Sequence, residues 1–232
     1  MKSLVFDSGP LISLTSNNLL WLLEPLKKQF KGSFILPESV KSELVDEHIQ
    51  TKKFKFEALQ VQEYINKGIL QVYEDKYTKD NTLELLKVAN NCFTVQDKKM
   101  NLVHYAEIAA LATALQLNSE AVVMDERVTR EFVEHPLHLA KLTEKKIHAN
   151  LKTDKVCLSQ FKNIVQGVDI IRSTELAAIA FEKGLLKRYT SPNLKNSQKT
   201  VLESILWGLK LDGAAINERG IRAIVAAEMK RL

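Results

Sequence analysis

Two short apolar runs, each closed by an aspartate, constrain this chain more than any other feature. Leu4-Val5-Phe6 is followed at once by Asp7, and Val122-Val123-Met124 by Asp125. Runs this short and this apolar read as buried strands. Ser8-Gly9-Pro10 ends the first strand and turns the chain. In open α/β sheets, ligands bind outside the carboxyl ends of the strands, where strand order reverses. Two strands that each deliver an acid from that end could place both side chains in one crevice.

The rest of the chain is read around these two strands. Leu11 to Leu26 reads as a leucine-rich helix broken near Asn17-Asn18. Gly32 to Pro37 reads as a strand, and Pro37 suits the first turn of the helix that follows to about His48. On that helix Val40, Leu44 and Val45 point inward, and Glu43 lies on or beside the same face. Lys52 to Lys67 reads as a helix with Phe56, Leu59 and Tyr64 as burial candidates. Ile69 to Tyr73 reads as a strand, Thr82 to Asn90 as a helix and Asn90 to Asn101 as a polar loop. Leu102 to Leu117 is strongly amphipathic: Ile108, Leu111, Ala112 and Leu115 recur at helical spacing, and Glu107 shares their face. Arg127 to Glu134 reads as a short helix. Leu137 to Gln166 alternates loosely and reads as a hairpin-like insertion. Val168 to Ile171 reads as a strand, and Ser173 as the cap of a helix reaching Leu186. After a polar linker, two helices close the chain, Thr200 to Leu211 and Asn217 to Arg231.

A chain of 232 residues with 45% apolar content can bury a substantial core. The division expected is a domain over 1–189, with the insertion at 137–166, and a basic helical extension over 190–232. No apolar run approaches the roughly 18 residues of a membrane span, and a strand that begins by residue 4 leaves no room for a signal peptide. Cys92 and Cys157 form no zinc or redox motif. A reduced cytoplasmic protein is the expectation. The net charge of +5 is unevenly placed: from Lys183 onward ten Lys and Arg face four Asp and Glu, while the remainder is nearly balanced. Such asymmetry favours a polyanionic partner, although a solvated helical surface would show the same count.

Four acids therefore stand out: Asp7, Glu43, Glu107 and Asp125. Two follow strands and two face inward on helices. Clustered carboxylates cannot all stay ionised without a cation. Hard oxygen donors suit Mg²⁺ or Mn²⁺, and such an ion could activate water against a phosphodiester. Each acid alone also has a structural role open to it. Asp7 could serve the turn, Asp125 could cap the next helix, and Glu43 and Glu107 could reach solvent. Ser8 could likewise bond a metal-bound water or serve the turn, and Glu126 reads as a first-turn acid. His104, His135, His138 and His148 lack zinc-site spacing.

The segments that carry these acids resemble the PIN-domain family of metal-dependent ribonucleases, in particular a prokaryotic branch of it. They are Val5-Phe6-Asp7-Ser8-Gly9-Pro10-Leu11-Ile12, Leu36-Pro37-Glu38-Ser39-Val40 through Glu43-Leu44, Ala106-Glu107-Ile108-Ala109-Ala110-Leu111-Ala112, and Val122-Val123-Met124-Asp125-Glu126-Arg127. The resemblance implies a three-layer α/β/α fold on a mostly parallel sheet, with a C-terminal helical extension. It implies an acidic pocket of Asp7, Glu43, Glu107 and Asp125 that holds Mg²⁺ or Mn²⁺ and hydrolyses RNA. It also implies a protein partner, either an antitoxin-like neutraliser or an RNA-processing factor, and a homodimer is compatible with it. The chain departs from the branch at His104-Tyr105, where an acid is frequent, and at Asp125-Glu126, where two aspartates are usual. A non-catalytic RNA- or protein-binding module of the same fold is the alternative. A phosphatase fits less well, because no second aspartate follows Asp7 two residues on and no glycine-rich phosphate loop is present.

Overall fold

The computed structural model describes residues 2–231. The chain begins with β1 (Ser3–Phe6), α1 (Ser8–Ser16), a 3₁₀ turn and α2 (Leu23–Phe30). Next come β2 (Ser33–Pro37) and α3 (Glu38–Lys41), which widens into a π-helical turn over Ser42–Glu47. Then follow α4 (Lys55–Asn66), β3 (Leu70–Tyr73), α5 (Lys76–Ala89), β4 (Phe93–Val95), β5 (Lys98–Lys99) and α6 (Tyr105–Leu117). The second half holds β6 (Ala121–Val123), α7 (Arg127–Glu134), α8 (Pro136–Ile147), β7 (Lys152–Thr153), α9 (Lys155–Ile164) and β8 (Ile170–Ile171). It ends with α10 (Ser173–Glu182), α11 (Ser197–Leu211) and α12 (Glu218–Met229).

Five strands form the central sheet in the order β3-β2-β1-β6-β8, all parallel. Parallel strands need crossovers, and helices packed on both faces bury the central strands, while the edge strands β3 and β8 stay partly exposed. All four residues of β1 and all five of β2 are buried. Alternation sends their side chains to opposite faces. Leu4 and Phe6 join one apolar cluster with Leu14, Leu36, Leu44, Val61, Ala177 and Leu209. Val5 joins the other, with Ile108, Leu111, Val122, Met124, Phe132 and Phe161. Two cores on either side of one sheet give the expected three layers.

Strand order reverses at the β1–β6 junction. β2 and β3 lie to one side of β1, while β6 and β8 lie to the other. The register places Phe6 beside Val123, and the Asp7 amide donates to the Val123 carbonyl at 3.0 Å. Both aspartates thus leave the sheet at the same end.

Several local expectations differ from what forms. Residues 137–166 are not a hairpin: α8 and α9 flank the two-residue β7. Leu139, Ala140 and Thr143 make the inward face of α8, and Cys157, Leu158 and Phe161 that of α9. The apparent alternation at Ile147, Ala149 and Leu151 falls on a helix end and the loop after it. Residues 90–101 are not a plain loop: β4 and β5 pair antiparallel around Gln96-Asp97, both with positive φ. That is the backbone of a tight hairpin turn, and its polar composition conceals it. Phe56 and Leu59 are 71% and 49% exposed, and Ala58 and Val61 face the core instead. The helix expected from Thr82 starts six residues earlier, where the Asp75 carboxylate accepts from the Thr78 amide at 3.1 Å. Ser173 is the first residue of α10 rather than its cap, a position held by Arg172.

Beyond β8 the chain packs back onto the sheet. Val201, Leu209 and Ala214 enter the same apolar cluster as Leu4 and Phe6. Leu202, Leu206, Ile216, Ile221 and Val225 join α11 to α12. No helix of the described residues is long and apolar enough to cross a membrane.

Candidate active site

Asp7 is the residue before α1, with extended backbone (φ −82°, ψ 167°). It is 3% exposed, and its Oδ1 is buried without a hydrogen-bond partner. Removing a carboxylate from water is costly when nothing pairs with it. Burial accordingly pushes its pKa from 3.8 up to about 7, with Glu107 and Glu43 repelling its charge and the Ser8 and Gly9 amides opposing the rise.

Asp125 follows β6 by two residues and is 2% exposed. Its Oδ2 accepts from Ser13 Oγ at 3.1 Å, and its Oδ1 from the Ser173 amide at 2.8 Å. It therefore joins the first helix of the chain to the N-terminus of α10, where the helix dipole favours an anion. Burial raises its pKa above the usual carboxylate range, and the bonds from Ser173 and Ser13 restrain that rise.

Glu107 sits in the first turn of α6. Its Oε2 accepts from Thr129 Oγ1 at 2.7 Å and from the His104 amide at 3.0 Å. Burial again pushes its pKa up, countered by these two donors. Glu43 comes from the π-helical turn, a geometry frequent at functional sites. Glu126 caps α7 through the Thr129 amide at 2.6 Å. Thr129 thus ties Glu126 and Glu107 together.

All four expected acids line one cleft of about 320 Å³, together with Ser8, Gly9, Ile12, Ser13, His104 and Glu126. Gly9 keeps its floor open. A Cβ there would stand 3.5 Å from the Asp125 Cβ and 3.7 Å from Asp7 Oδ2, filling the space between the two aspartates. The remaining wall was not foreseen. Asp212 and Gly213, between α11 and α12, also line the cleft. The Asp212 carbonyl lies 3.2 Å from Ser13 Oγ and shares its single proton with Asp125, and the Ala215 amide donates to the Asp125 carbonyl at 3.3 Å. Asn17 donates to the Asp212 carboxylate at 2.7 Å, and Arg172 to the Ala215 carbonyl at 3.4 Å. Gly213 adopts φ +119°, open to glycine at little cost. No local pattern announces a contact between residues 13 and 212.

The donor set is all oxygen, and it includes a buried carboxylate oxygen with no protein partner. Both properties fit a hard divalent cation. Among the described residues no three His, Cys, Asp or Glu side chains stand close enough to cage an ion by themselves. Mg²⁺ does not require such a cage, since it keeps several waters and binds through one or two carboxylates plus substrate phosphates.

A family model described as a PIN domain matches residues 3–136. No curated protein and no solved structure matches the chain.

Proposed function

Because the chain belongs to the PIN-domain family, whose members are generally nucleases that use divalent metals, we propose that it is an Mg²⁺- or Mn²⁺-dependent ribonuclease. The observation that carries this reading is the unpartnered, buried Oδ1 of Asp7 at the sheet's switch point, inside a cleft lined by Glu43, Glu107 and Asp125. Asp7 would hold the ion directly. Glu43 and Glu107 would complete the set, one of them at most directly and otherwise through the waters the ion keeps. Asp125 would join them while remaining bonded to Ser13 and Ser173, which fix its orientation. The ion would supply Lewis acidity at the phosphodiester and lower the pKa of a bound water. The chain's own acids would orient that water and restrict the cleft to a substrate that brings a cation with it. The basic surplus after Lys183 would grip the RNA backbone, making affinity fall with salt.

The decisive experiment is incubation of purified protein with a mixed RNA pool in Mn²⁺, Mg²⁺ or EDTA, beside Asp7→Asn. Cleavage that needs the metal and disappears in the variant is the expected outcome. Metal-independent cleavage, or equal cleavage by the variant, would refute the assignment.

One observation favours a second reading. Both Asp125 oxygens are already engaged by protein donors, which suits a module that binds RNA or a protein without cleaving. RNA retained on a filter with no cleavage under any metal would select it.

A further inference from the structure

Cys92 and Cys157 lie 65 residues apart in sequence, yet their Sγ atoms approach to 2.7 Å. A disulfide bond is about 2.05 Å long, so the two sulfurs need to close by less than 1 Å. The backbone brings them together. Phe93 pairs with Thr153 in the β4–β7 ladder, and the Asp154 amide donates to the Cys92 carbonyl at 2.9 Å. Asp154 then caps α9, accepting from the Val156 and Cys157 amides at 2.9 and 3.0 Å, and so fixes the first turn on which Cys157 stands. Each thiol is also within donating distance of the Val88 carbonyl, at 3.3 Å for Cys92 and 3.0 Å for Cys157. That carbonyl accepts from the Asn91 amide at 3.1 Å as well. Loss of both thiol hydrogens would leave it satisfied.

We propose that Cys92 and Cys157 form a covalent modification site, closing to an intramolecular disulfide when the protein meets a peroxide. Cys157 retains 8% exposure and Cys92 none, so Cys157 meets the oxidant first. Its thiolate attacks one peroxide oxygen, the O–O bond breaks, and hydroxide leaves and takes up the thiol's proton as water. Cys92 Sγ then attacks the Cys157 sulfenic sulfur. The S–S bond forms, the S–O bond breaks, and hydroxide departs with the Cys92 proton as a second water. Two thiols are oxidised and one peroxide is reduced to two waters. Burial holds the Cys92 thiol above its ordinary pKa range, so this second step is slow beside that of an exposed thiol. The product joins the turn between α5 and β4 to α9, and so ties the stretch that matches the family to the stretch beyond it.

The test uses the full chain, reduced, freed of reductant and treated with hydrogen peroxide. After alkylation in denaturant and non-reducing digestion, mass spectrometry is expected to find one peptide pair joined through Cys92 and Cys157 in monomeric protein. The oxidised protein should melt about 5–15 °C above the reduced one, as closure of so long a loop implies. In Cys157→Ala neither the joined pair nor the rise should form. If both thiols remain alkylable, or are joined between molecules, the site is not a cross-link. A joined form that melts below the reduced protein, or a rise that persists in Cys157→Ala, would equally overturn the proposal.

Discussion

At the scale of single residues, Asp7 is where folding and chemistry pull in opposite directions. Its carboxyl titrates near 7 in the folded protein against 3.8 as the ordinary value. Between those values the folded state keeps a proton that the unfolded chain has released. Stability therefore falls as pH rises from about 4 to about 7 and levels off above, by up to about 1.4 kcal/mol per pH unit. Melting curves in EDTA should show this slope for the native protein and a shallower one in Asp7→Asn, where the raised Asp125 and Glu107 still contribute. Mg²⁺ favours the ionised form, so it should raise the melting temperature more at pH 8 than at pH 5. Ser13→Ala removes the donor to Asp125 Oδ2. The buried carboxylate is then left short of a partner, and a loss of about 1–3 kcal/mol in denaturant unfolding is expected. The two aspartates were legible because a strand and the acid that ends it are neighbours in sequence. Glu43 and Glu107 were legible from a helical face. Ser13, Ser173 and Asp212 were not, because their roles depend on partners 112, 48 and 195 positions away.

At the scale of elements, the contact between α1 and α11 decides the shape of the cleft. A Cβ on Gly208 would fall 2.1 Å from Asn17 Oδ1. Asn17 is in turn bonded to the Ser13 carbonyl and the Asp212 carboxylate. Gly208→Ala should displace Asn17 and loosen the Asp212 wall, costing about 1–3 kcal/mol and lowering the melting temperature by several degrees. Any cleavage activity should fall with it, while the Asp7-dependent pH slope should persist. A variant as stable as the native protein would show that Asn17 has room to move. On the opposite core, Phe132 stacks on Phe161 at 4.2 Å and meets Phe93 at 5.5 Å. Phe132→Ala should cost about 3–5 kcal/mol in unfolding experiments. These elements also mark where periodicity could mislead. The long helices with one apolar face were readable. The hairpin of β4 and β5, of three and two residues, offered no period to read. In α4 Phe56 and Leu59 point to solvent, while Ala58 and Val61 point inward and Tyr64 and Ile65 pack partly against the core.

At the scale of the whole molecule, the matched stretch of 3–136 contains the four acids but not the complete cleft. β8 completes the central sheet, and the loop between α11 and α12 completes the site's wall. Truncation after Thr190 should therefore uncover the apolar face shared by Leu14 and Leu209 and remove the Ala215 contact with Asp125. The expected result is aggregation or a lowered melting temperature together with loss of activity. A soluble, fully active fragment would contradict it. The contact between Ser13 and Asp212 spans 199 positions, and such non-local contacts form late in folding. At a synthesis rate of about 5–20 residues per second, roughly 10–40 seconds separate the making of residue 7 from that of residue 212. During that interval the nascent protein carries its acids without their enclosing wall. The cleft is completed only when the segment after α11 reaches back to the first helix of the chain.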